Sequence, residues 1–381
     1  MPLASCRMVG PTANAERLHI GIFSVEFGSW RVAWVRALDK VVDFVNVVLR
    51  GTKLGPSRDR PLAIPNATFD EDVFLDGLAK LDLVRPADVI GLQSALSAMC
   101  LPYGGERHRV ANVAMQAHPE AAWVLMFDGD GYIRESALRR LSVAPQSAGR
   151  FTGMALRLND WVPQVRAEAS AAASRLWPTT PPNIVAEAAP YLFRHRFDWE
   201  RWGPEALCVD EVLARPDVAE AVTSMLHRQR SGALGRTLSQ ALRFEAYDAG
   251  LGQLALSALL PDVRAVAIKS LLNQRASWPV GHDWEWIDKS MNRRRRIVRT
   301  ESRQISTRQG GAQMLEAALA DKSALVRKVA ADVLVERMGE LSNIAELASL
   351  LVNDPSAAVR DRAAFIFRKI GQSPQGALTE G

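Results

Sequence analysis

The chain has 381 residues, 48% hydrophobic and 23% charged. That is normal for a folded protein, and the length suits two or three ordinary domains or one extended repeat array. No run of about 18 uncharged apolar residues occurs, so no membrane-spanning helix is expected. The net charge of +5 is concentrated: residues 286–309 hold eight basic residues and two acids, a net +6 that leaves the rest of the chain at −1. The basic balance is therefore one patch and not a charged face.

Residues 1–15 contain no apolar core of signal-peptide length and are expected to be a disordered lead on a cytoplasmic protein. Cys6, Cys100 and Cys208 are far apart and odd in number, so neither a disulfide framework nor a thiolate metal site is expected. Residues 16–126 read as a divergent helical region. Trp30, Trp34, Val35, Leu38, Val41, Val42, Val45 and Leu49 mark one helix face. The Gly- and Pro-rich stretch 51–65 ends it, and helical patterns return near 71–81, 87–99 and 107–116.

From residue 127 to 371 the sequence repeats. In four copies an Asp precedes an Arg by six residues: Asp128/Arg134, Asp160/Arg166, Asp321/Arg327 and Asp354/Arg360. A fifth, around Val263 and Arg264, lacks the Asp. The Ile or Val before each Arg starts an apolar stripe, Ile133/Ala137/Leu141, Val165/Ala169/Ala173, Val263/Ala267/Leu271, Val326/Ala330/Leu334 and Val359/Ala363/Phe367. The central Ala lets a neighbouring helix approach closely. Each unit reads as helix A, a short Asp-containing turn and helix B. The gaps between the Arg positions are 32, 98, 63 and 33, close to one, three, two and one period, so further copies are expected near 199, 232 and 295. Asp288-Lys289-Ser290 echoes Asp321-Lys322-Ser323 and places one at 295. Residues 177–252 depart from the pattern, with Pro178, Pro181, Pro182 and Pro190 followed by Tyr191, Phe193, Phe197, Trp199 and Trp202. Residues 372–381 are expected to be a disordered tail.

This pattern resembles the HEAT-repeat superfamily in its short form of about 30 residues, over roughly 127–371. The resemblance implies an all-α fold, a right-handed superhelical solenoid of HEAT-like hairpins. It also implies that the Asp caps the turn and that the Arg of helix B pairs with acidic groups of adjacent units in a ladder. An Asp before a helix is independently expected to accept free backbone N–H groups. The family is mostly an interaction scaffold, which leaves function to be argued from other residues.

The sharpest candidate is the basic stripe Arg293–Arg308, which includes Arg295, Arg296, Arg299 and Arg303. As a helix B it would place Arg296, Arg299 and Arg303 on one stripe on the concave surface, with Arg295 beside it. Arginine forks suit phosphate or carboxylate; the competing reading is a solvated face with internal salt bridges. Trp278, Trp284 and Trp286 precede the run, either as an aromatic wall for a base or as repeat core. The expected contact residues are Arg295, Arg296, Arg299, Arg303, Trp284 and Trp286. The expected function is a non-enzymatic scaffold or adaptor with a protein partner. The alternative is nucleic-acid binding, including an activity similar to the HEAT-like alkylpurine glycosylases. A third reading follows from short HEAT-like proteins that act on bilins. No catalytic, metal or cofactor residues are assigned: Asp128-Gly129-Asp130-Gly131 lacks the rest of a calcium loop, and His195 with Asp198 lacks a nucleophile.

Overall fold

A computed structural model describes residues 71–99, 106–196, 198–199, 201–307 and 311–371. The lead at 1–15, the Trp30/Trp34 helix face and the tail at 372–381 lie outside them. The described residues are mostly helical and belong to one unit, Ile64–Gly381.

The first helices are α1 (Glu71–Leu83), α2 (Val89–Met99), α3 (Arg107–Ala117) and α4 (Ala121–Leu125). The repeat follows with α5 (Gly131–Arg140), α6 (Ala148–Arg157) and α7 (Pro163–Leu176). Every residue of α6 is buried, because α1 and α2 cover the side that α7 and α8 (Pro182–His195) leave open. Gly149 permits the closeness: a Cβ there would sit 1.9 Å from the Leu81 carbonyl oxygen. Arg150 of α6 reaches back to Asp82 and Glu120 and lies over the Trp123 ring. The N-terminal helices therefore share a core with the repeats.

The middle contains α9 (Leu207–Leu213), α10 (Pro216–Arg228), α11 (Gly235–Ala241) and α12 (Leu251–Ser257), with short 3₁₀ turns at Trp177–Thr179, Pro204–Ala206 and Glu245–Gly250. The regular pattern resumes with α13 (Pro261–Leu272), α14 (Ala312–Leu319), α15 (Ala324–Glu336), α16 (Ile344–Ser349) and α17 (Ala357–Ile370). The second helix of each unit packs on that of the next: α3 on α5, α5 on α7, α13 on α15 and α15 on α17. All fifteen residues of the five apolar stripes are buried, as helical spacing with a small central residue requires.

The Asp and Arg positions form a geometric series. Arg134 donates twice to Asp160 of the next unit, Arg264 twice to Asp321 and Arg327 twice to Asp354, at 2.5–3.0 Å. Arg107 pairs with Asp128 through Nη2, which donates to both oxygens, extending the series into α3. Nη1 donates to the backbone carbonyl six residues before the Arg in all five copies, Arg134 to Asp128, Arg166 to Asp160, Arg264 to Ala258, Arg327 to Asp321 and Arg360 to Asp354. The capping expectation is corrected in detail. Each Asp carboxylate accepts the N–H two residues on, at Asp130, Val162, Ser323 and Ser356. Those are the N-cap residues, so the Asp closes the turn before the helix and does not cap it.

The helix expected over 293–308 is not there. Residues Arg275–Asp288 and Arg293–Gln304 are strands β1 and β2 of an antiparallel hairpin, so the described fold is helical with one two-stranded exception. Trp284, Trp286, Ile297, Val298 and Thr300 favour a strand, and four consecutive arginines offer a helix no apolar stripe. The Asp288-Lys289-Ser290 likeness is real at the level of the turn. Asp288 accepts the Ser290 and Met291 N–H groups, as Asp321 accepts that of Ser323, but Asn292 then adopts φ 50° and the chain reverses. No repeat occupies position 295: Arg264 pairs directly with Asp321, and the hairpin is inserted between adjacent units.

Candidate functional site

The hairpin is held at its base and exposed beyond it. Ala276, Trp278 and Val280 are buried, and the Pro279 carbonyl accepts from Gln240 and that of Ser277 from Ser239. Arg303 belongs to this anchor and not to a contact stripe. Its guanidinium donates to both oxygens of Asp248 (2.6 and 2.9 Å) and to the carbonyls of Leu242 and Phe244, and Asp248 is 1% exposed. The register shifts between Pro279 and Gly281, at φ 144° for the glycine, where the arm leaves the body. From there outward, 281–299, almost every residue is exposed.

Alternation along each strand and direct pairing across them sort this arm into two faces. On the first, His282, Trp284 and Trp286 oppose Val298, Arg296 and Arg294. Trp284 is 57% exposed and Trp286 47%. The Arg294 guanidinium lies 4.5 Å from the Trp284 ring centre, and that of Arg296 donates to His282 Nδ1 at 3.0 Å. On the second face, Asp283 and Glu285 oppose Ile297 and Arg295, with Arg299 opposite Gly281. Arg295 donates to Glu285 at 2.6 Å. The first face thus carries two arginines and no carboxylate, while on the second the acids offset the bases. Among the described residues, neither Arg294 nor Arg296 is ion-paired.

Of the six expected contact residues, the structure brings together Arg296, Trp284 and Trp286. It puts Arg295 and Arg299 on the opposite face and Arg303 in the anchor. Arg294 was missed. A helical reading gives it no place on the 296/299/303 stripe, whereas a strand reading pairs it with Trp286 by counting in twos.

Other candidates are structural. Asp128 is buried against Arg107, and Asp130 caps α5. His195 faces Asp198 at 3.3 Å, but burial holds its imidazole below the ordinary value and it packs among Tyr191 and Trp199. The Cys208 thiol is buried and pushed up to about 12 by that burial, far from nucleophilic. Among the described residues no His, Cys, Asp or Glu group is arranged to hold a metal ion, and no helix is long and apolar enough to cross a membrane. Comparison with family models, curated proteins and solved structures found no match to this chain.

Proposed function

We propose that the protein is a non-enzymatic binding protein, a HEAT-like solenoid of short hairpins that presents the 281–299 arm to a nucleic acid. The observation that carries this reading is the first face of the arm: Arg294 and Arg296, free of carboxylates, interleaved with Trp284 and Trp286. Guanidinium groups meet phosphates and flat rings meet bases, and the pair of functions on one exposed surface suits nucleic acid. The Asp–Arg series supports a stiff scaffold behind the arm, since each pair ties one unit to the next. The scaffold reading with a protein partner draws on a separate observation, the exposed Ile287, Met291 and Val298.

A salt series separates the two. Binding of a random-sequence oligonucleotide, followed by fluorescence anisotropy, should weaken steeply between 50 and 200 mM salt, with each phosphate contact adding about 0.7–0.9 to the log–log slope. Arg294→Glu with Arg296→Glu should abolish it. No binding by the wild-type protein at about 50 mM salt sinks the nucleic-acid reading and leaves the protein partner.

A further inference from the structure

We infer that the arm takes a single strand and not a duplex, with bases stacked on Trp284 and Trp286. The inference rests on the nucleic-acid reading and specifies its ligand. Trp284 and Trp286 are two residues apart on one strand and so point to the same side. Two residues of antiparallel strand rise about 6.8 Å. Successive bases in a duplex strand advance about 3.4 Å along the helix axis. Two neighbouring bases on these two rings are therefore spread to about twice their duplex spacing, which only an unpaired strand allows. A ring exposed to half its area also has nothing to stack on in a duplex groove, where base faces are covered by their neighbours.

The arginines fit the same geometry. Arg296 stands directly opposite Trp284 and Arg294 opposite Trp286; the Arg294 guanidinium covers one side of the Trp284 ring, which is still 57% exposed for a base. A strand laid along β1 with its bases on the indoles runs its phosphates over β2, within reach of both guanidinium groups. Charge is complementary on this face alone. On the reverse face Asp283 and Glu285 repel a phosphate chain and Glu285 already holds Arg295. The His282 imidazole accepts from Arg296 through Nδ1, which keeps the guanidinium over the ribbon and not out in solvent.

The test is binding of fluorescein-labelled oligo(dT) and oligo(U), against a duplex of equal length, to the full chain. Single strands of one sugar or both should bind about tenfold or more tightly than the duplex. Trp284→Ala with Trp286→Ala should lose about tenfold per ring for the single strand and little for the duplex. Arg295→Ala, on the reverse face, should bind single strand within about twofold of wild type. An unchanged melting temperature for each variant excludes a folding defect, and both rings are exposed enough for this to hold. The inference falls if the wild type prefers duplex or if the double Trp variant binds single strand normally. Duplex binding that survives then leaves the broader function standing. Failure of every oligonucleotide to bind removes both.

Discussion

At the scale of single residues, the Asp–Arg pairs decide stability. Arg134 and Asp160 keep 4% and 2% of their side chains exposed, so each charge depends on the other. Arg157 donates to the same carboxylate, and burial pushes it down to about 10, still charged at neutral pH. Removing one partner of such a pair leaves a buried charge uncompensated and costs about 3–5 kcal/mol. The last pair has a pH signature. Hydrogen bonds from Arg327, set against a smaller opposing effect of burial, hold the Asp354 carboxyl below the usual carboxylate value. A lowered folded value means that the stabilisation is present above the unfolded carboxylate value of about 4 and is lost as pH falls through the folded one. Asp354→Asn should therefore destabilise by about 3 kcal/mol at pH 7. The gap to wild type should shrink on acidification below about pH 4. Urea unfolding at stepped pH measures it, and a gap that is independent of pH contradicts the assignment. These residues were legible because Asp and Arg stand six apart in four copies. Which N–H the carboxylate accepts was not, since a turn bond and a cap bond differ by one or two residues.

At the scale of elements, the five apolar stripes were legible because helical periodicity and burial agree, and all five are core. The hairpin was not. Arginines at 296, 299 and 303 satisfy helical spacings of three and four, but no apolar face accompanies them. The enrichment in Trp, Ile, Val and Thr was the better signal. The gap of 63 between Arg264 and Arg327 compounded the misreading, because an insertion of about one unit's length mimics a repeat. The insertion has a physical consequence. Arg264 reaches Asp321 and α13 packs on α15 directly, and the arm's outer part buries little. Replacing 282–298 with a short Asn-Gly turn should leave the thermal midpoint within about 2 °C of wild type, the equivalent of about 1 kcal/mol. Thermal unfolding followed by circular dichroism gives the answer. A loss of 10 °C or more would mean that the arm is part of the core.

At the scale of the whole molecule, five buried stripes and four Arg–Asp pairs link successive helices on either side of the irregular middle, with an arm inserted between the units of Arg264 and Asp321. Arg107, Arg134, Arg264 and Arg327 of the body all face carboxylates, while residues 286–309 carry a net +6, so the arm is a concentrated source of positive charge. The helical class and the Asp–Arg repeat were legible in the sequence because repetition multiplies a weak signal. The contact surface was not, because it occurs once and is written in the alternation of a strand. The most direct test of the account compares wild type with the arm-shortened chain, titrated with a random single-stranded oligonucleotide from about 50 to 200 mM salt. Salt-sensitive binding by the wild type is expected, and none by the shortened chain at an unchanged melting temperature. Equal affinity and equal salt dependence in the two would place the binding surface elsewhere on the molecule and contradict it.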